Sequence, residues 1–158
     1  MSEPILVRML MRASSDGDNA SRTAKELFSR PRPFLVEDGP ICIPRADWLV
    51  GQGSYPSGHS ATGWIWAMIL SELAPGRAEA VVSRGRAYGE SRVVCGVHYV
   101  TDIEAGRAVA DATLSRLRSD PTFQSDMKAA RAELERAMSS GPKPIACDVQ
   151  SELDSIAY

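Results

Sequence analysis

Residues Ala61 to Ala74 form the longest apolar stretch of this 158-residue chain, about 14 positions that include Ser71 and Glu72. A bilayer span needs about 20 such residues, so the stretch reads as a helix buried in a protein core and not as a membrane anchor. A helix of this kind must be covered on several sides, and the remaining sequence supplies helices to do it. Ile5, Leu6, Met9, Leu10 and Ala13 recur at helical spacing. Asp16-Gly17-Asp18 reads as a break, followed by a second helical piece from about Ala20 to Ser29 that Pro31 and Pro33 end.

From Pro33 to Pro56 the chain is rich in Gly and Pro and has no clear period, which predicts a long loop, functional or disordered. Gly51-x-Gly53 lies within it as a flexible joint. Helical pattern resumes from Ser60 to about Leu73 and closes at Pro75-Gly76. Further helices are expected over Arg77 to Ser91, from Val97 or His98 to Arg118, and from Thr122 to Met138. Trp64 and Trp66 are two apart and cannot share one helix face, and both are expected to pack in the core. No alternating strand pattern and no repeat is present. The reading is an all-α domain over residues 1–138, a compact bundle of about five or six helices. Residues 139–158, opening on a breaker-rich linker from Ser139 to Pro144, are expected to form a loose tail.

With 44% hydrophobic and 24% charged residues the chain falls in the ordinary globular range. A net charge of -2 lacks the basic footprint of a nucleic-acid binder, so no nucleic-acid partner is expected. No membrane partner is expected either. Met1 to Arg12 reads poorly as a signal peptide. The three cysteines, Cys42, Cys95 and Cys147, match no metal-ligand spacing.

Chemistry concentrates near the two histidines. Pro56-Ser57-Gly58-His59 precedes the apolar helix, where unpaired amides create an anion site and Gly58 permits close approach of a ligand oxygen. An ordinary capping turn, with Ser57 as the cap and His59 on the surface, explains the same four residues. His98 and Asp102 lie four apart. If both are helical they share a face, and the carboxylate fixes the tautomer that leaves one imidazole nitrogen free as a base or nucleophile. A plain surface pair fits that spacing too. Lys25, Arg32 and Arg92 are cations suited to phosphate oxygens, though with 18 Lys and Arg in the chain any one alone is better read as a solvated side chain.

Taken in order, Lys25-x6-Arg32-Pro33, Pro56-Ser57-Gly58-His59 and Ser91-Arg92-x5-His98-x3-Asp102 resemble the three-part signature of the phosphatidic acid phosphatase type 2 and vanadium haloperoxidase superfamily. Within it the chain is similar to the bacterial class A non-specific acid phosphatases, over about Leu10 to Arg136. The resemblance implies a phosphomonoesterase that uses neither metal nor cofactor. In it His98 attacks phosphorus to form a phosphohistidine, Asp102 orients His98, and His59 protonates the leaving oxygen and later activates water. Lys25, Arg32 and Arg92, with the Ser57 hydroxyl and the Gly58 amide, would hold the phosphoryl oxygens. Small phosphate monoesters would be substrates, and phosphate or vanadate would act as ligands or inhibitors.

Members of that family are typically longer, with helices ahead of the lysine motif, whereas 24 residues precede Lys25 here. A chain lacking the first family helices would expose apolar faces that self-association as a homo-oligomer could cover. The resemblance also implies a periplasmic location and a bridge between Cys42 and Cys95. Pro31 within the spacer places Lys25 on a helix and Arg32 just beyond it. Two further readings stand beside the phosphatase: a vanadium-dependent haloperoxidase using the same cage, and a truncated, non-catalytic phosphate-binding remnant.

Overall fold

The computed structural model describes residues 4–140. Within them the chain is all helical, as expected: α1 (Ile5–Phe28), two short helices α2 (Pro33–Val36) and α3 (Asp47–Gly51), then α4 (Gly58–Leu73), α5 (Ala78–Val94), α6 (Val100–Leu117) and α7 (Pro121–Ser140). A single 3-10 turn, Pro75–Arg77, joins α4 to α5. The apolar stretch is the spine of the fold. α4 packs against α1, α5, α6 and α7.

Its buried face carries Ala61, Ile65, Ile69 and Leu73. These meet Met9, Leu10 and Ala13 of α1, Ala110 and Leu114 of α6, and Phe123 and Ala130 of α7. A second, smaller core lies under the long loop, where Phe34, Leu49, Cys95 and Val97 pack with Ile41 and Ile43. The disulfide between Cys42 and Cys95, implied by the family resemblance, pins this loop to the turn after α5. Beside it the Cys42 N–H donates to the Cys95 carbonyl over 3.3 Å.

α7, charged on most of its surface, caps two other helices. Its Glu133 carboxylate accepts the N–H groups of Ile5 and Leu6 at 3.2 and 2.8 Å, which places negative charge on the positive end of α1. Arg131 donates to the Leu73 and Glu72 carbonyls at 3.2 and 2.8 Å, covering the carbonyl end of α4.

Four expectations need correction. The break at Asp16-Gly17-Asp18 does not occur, and α1 runs through it without interruption. A side chain at Gly17 would have its Cβ 2.5 Å from the Ile65 Cδ1 methyl, which would have to move, so close packing against α4 carries the helix through a residue of poor helix propensity. The long loop is not wholly irregular, since it holds α2 and α3. Trp66 lies at the surface, not in the core; its Nε1 bridges to α1 by donating to Ser14 Oγ and the Leu10 carbonyl. Finally, α7 continues through residues 139 and 140, two positions assigned to the tail; the rest of that segment lies outside the described residues.

Ile65 is fully buried between α1 and α4. Ile65→Ala is expected to lower unfolding free energy by about 2–5 kcal/mol, measured by urea denaturation. The disulfide predicts that alkylation of the denatured, unreduced protein labels only Cys147 of the three cysteines, and that reduction exposes the other two.

Candidate active site

Three segments distant in sequence meet at one end of the helix stack. The first is the end of α1 with the Ser29–Arg32 connection. Lys25 sits on the last turn of α1, and Ser29 closes the helix in the left-handed region at φ 41°, its N–H donating to the Lys25 carbonyl. Arg32 follows as the residue capping α2, so Pro31 separates the two cations as the spacing predicts.

The second segment is the start of α4. Ser57 is its N-cap, with Oγ accepting the Ser60 N–H at 3.2 Å. Gly58 and His59 form the first turn, where backbone N–H groups have no intrahelical acceptor. α6 packs closely here: a Cβ at Gly106 would stand 2.5 Å from the Ser57 carbonyl oxygen.

The third segment links α5 to α6. The Arg92 carbonyl accepts the N–H groups of Val97 and His98, at 3.1 and 3.3 Å, which folds the chain back after α5. Gly96 allows the reversal with φ +75°, and a Cβ there would lie 3.0 Å from the Pro40 oxygen.

His98 and Asp102 do pair, but not on one helix face. α6 begins at Val100, two residues past His98. Asp102, in the first turn, reaches back out of the helix. Its Oδ2 accepts the Tyr99 N–H at 2.9 Å and the His98 Nδ1–H at 3.2 Å. Arg32 Nη1 lies 3.2 Å from His98 Nε2. An arginine can only donate, so Nε2 is the acceptor and Nδ1 carries the proton. The imidazole is thus held in the tautomer whose Nε2 carries the lone pair, which accepts from Arg32 in this structure.

The cations are anchored by backbone. Lys25 Nζ donates to the Gly53 and Pro56 carbonyls, at 3.2 and 2.6 Å. Arg32 donates through Nε to Leu49 O at 2.8 Å and through Nη1 to Val97 O at 3.0 Å. Lys25, Arg32, Gly58, His59 and His98 line one cleft of about 440 Å³, together with Trp48 and Tyr88. Arg92 stays at its edge, donating to Ser91 Oγ and lying 5.7 Å from the centre of the Tyr88 ring.

Burial and the neighbouring Arg32 push the Lys25 ammonium down to about 8, against the pull of Asp102 and Asp18. Desolvation lowers His59 as well, aided by the charges of Arg92, His98, Arg32 and Lys25. Burial lowers His98 and outweighs the raising effect of its hydrogen bond to Asp102. For Asp102 the balance is reversed: burial would raise the carboxyl, yet the bonds from His98 and Tyr99 and the charges of His98 and Arg30 hold it below the usual range.

Arg30 is the residue that sequence reasoning passed over. It donates from Nη1 to Asp102 Oδ1 and to Thr101 Oγ1, at 2.8 and 2.7 Å, with its guanidinium 3.9 Å from the centre of the Tyr99 ring. The only sequence sign was its place in the Arg30-Pro31-Arg32-Pro33 run.

A helical stack carries an oriented imidazole, a second histidine on a helix start and convergent cations, a set of groups suited to an oxyanion. The PAP2 superfamily model matches residues 8–119. An acid phosphatase of Zymomonas mobilis is 40% identical over 151 residues, 93% of this chain and 57% of that protein. Non-specific acid phosphatases of Providencia stuartii and Salmonella typhimurium are 42% and 41% identical over 118 and 119 residues, about three quarters of this chain and 48% of each of theirs. The chain belongs to the PAP2 superfamily. It spans about half the length of the curated relatives it matches.

Both histidines are lowered on folding, so the unfolded chain takes up protons first as pH falls. Stability should therefore decline as pH drops through about 6.5, the unfolded histidine value. Asp102, also lowered, keeps contributing until pH falls through its own depressed value, below the usual carboxylate range. Urea midpoints are expected to fall between about pH 7 and 5, and the fall should shrink in His98→Gln.

Proposed function

We propose that the chain is a phosphomonoester hydrolase working through a phosphohistidine. The observation that carries this reading is the His98 tautomer: Nδ1–H is committed to Asp102, and Nε2 stands in the cleft beside Arg32. With Arg32 Nη1 turned from Nε2 to a phosphoryl oxygen, His98 Nε2 attacks phosphorus as the ester P–O bond breaks, and His59 gives its proton to the departing alkoxide. His59 then takes a proton from water, whose oxygen forms a new bond to phosphorus as the P–N bond breaks.

Lys25, Arg32 and Arg92 neutralise the non-bridging oxygens, joined by the Gly58 N–H at the start of α4 and the Ser57 hydroxyl, which keeps its proton to donate. The scheme uses these side chains, the Gly58 N–H and water. The acid phosphatases among its relatives support the reaction class. The Cys42–Cys95 bridge supports an oxidising compartment, consistent with a periplasmic setting.

His59 must be protonated to act as the acid, and desolvation lowers it, so turnover should rise toward acidic pH until His98 itself takes up a proton. The test is hydrolysis of p-nitrophenyl phosphate by the purified chain across pH, with chelator present. We expect chelator-resistant turnover, greatest in acid and lost in His98→Ala. Phosphate binding without turnover would instead identify a non-catalytic binder.

Because free Lys25 loses its proton near pH 8, affinity for orthophosphate or vanadate should begin to fall above that pH. Titration calorimetry across pH 6.5–9.5 would show it, and the change near pH 8 should vanish in Lys25→Met.

A further inference from the structure

Asp102 is fully buried, and its two carboxylate oxygens have different partners. Oδ2 serves His98 and the Tyr99 N–H, while Oδ1 accepts from Arg30. We propose that Arg30 is a positioning residue for the His98–Asp102 pair: it fixes the plane of the carboxylate and shares its charge, so that Oδ2 stays aimed at Nδ1 and His98 stays neutral.

The geometry around Arg30 suits that task. Thr101 Oγ1 takes a second bond from the same Nη1, and the Tyr99 ring backs the guanidinium, so Arg30 has little freedom to leave. Its own carbonyl accepts the Ser54 N–H at 2.8 Å, which ties the main chain at this point to the loop before α4. Arg30 lines a neighbouring cleft that shares Lys25 with the one His98 and Arg32 line, and its Nη1 bonds go to Asp102 and Thr101. It is therefore placed to act on the nucleophile through Asp102. A lysine could keep the charge, but its single ammonium lacks the flat face that lies on Tyr99.

Loss of the Arg30 charge leaves the full carboxylate charge on His98, which favours the imidazolium. The groups facing the pair are Arg32, at His98 Nε2, with Lys25 and His59 across the cleft. All remain in place in an Arg30 variant. The inference rests on the phosphatase reading for its kinetic arm only, since the titration of His98 can be followed without turnover. The chain has just two histidines, so their NMR signals are separable, with His59→Gln providing the assignment.

In Arg30→Met we expect His98 to titrate higher by about one pH unit, the size expected for removing one nearby charge. The acid limb of kcat/KM should move upward with it, kcat should fall roughly tenfold at optimal pH with KM little changed, and Arg30→Lys should recover part of both. If Arg30→Met does not fold, Arg30→Gln carries the same test. An unchanged His98 titration in a folded neutral variant would reduce Arg30 to a structural tether and overturn the proposal. A rise in KM at constant kcat would also overturn it, by making Arg30 a substrate contact. Absence of turnover in the unmodified chain would sink the phosphatase reading but leave the titration result to decide the role of Arg30.

Discussion

A carboxylate with no exposure to solvent sits where the chain's separate parts meet. Taking a charge out of water is costly unless every lone pair finds a donor, and Asp102 finds donors in three places. One is its own helix start at Tyr99, one is His98 before it, and one is Arg30 just past α1. Its backbone carbonyl accepts the Ser57 N–H at 2.9 Å, which adds the start of α4. The end of α1, the beginning of α4 and the beginning of α6 are thereby held in one arrangement. Any displacement among them would strand a buried charge, so the same interaction that orients the imidazole also fixes the meeting point of the helices.

That arrangement depends on close approach elsewhere. Gly17 lets α1 reach Ile65, Gly85 sets α5 against Ala67 where a Cβ would stand 2.4 Å from the alanine Cβ, and Gly106 brings α6 onto the Ser57 carbonyl. Larger residues at Gly85 and Gly106 would meet neighbouring backbone and push helices off the spine, while one at Gly17 would displace the Ile65 methyl. The small side chains thus transmit the packing of α4 to the placement of the residues around its N-terminus.

Much of this was legible in the chain. The apolar run announces a central helix, Pro31 separates Lys25 from Arg32, and of the three motifs Lys25, Arg32, Gly58, His59 and His98 line one cleft. The four-residue step from His98 to Asp102 implies a shared face only if both are helical, whereas His98 lies before α6 and Asp102 reaches backward to it. Gly17 misled because local propensity says nothing about a partner helix 48 positions further on. Arg30 was missed because its partner lies 72 residues away, and no period or spacing links two such positions.

Besides the Val97 carbonyl after α5, Lys25 and Arg32 are held by the Leu49, Gly53 and Pro56 carbonyls of the long loop, and those oxygens belong to the backbone whatever side chains they accompany. Trp48 and Gln52 hang from the same stretch and line the cleft. The loop therefore divides its labour. Its main chain keeps the cations aligned, while its side chains can be exchanged to present a different surface to whatever enters. Selectivity could be remodelled in such a loop with the charged centre left standing.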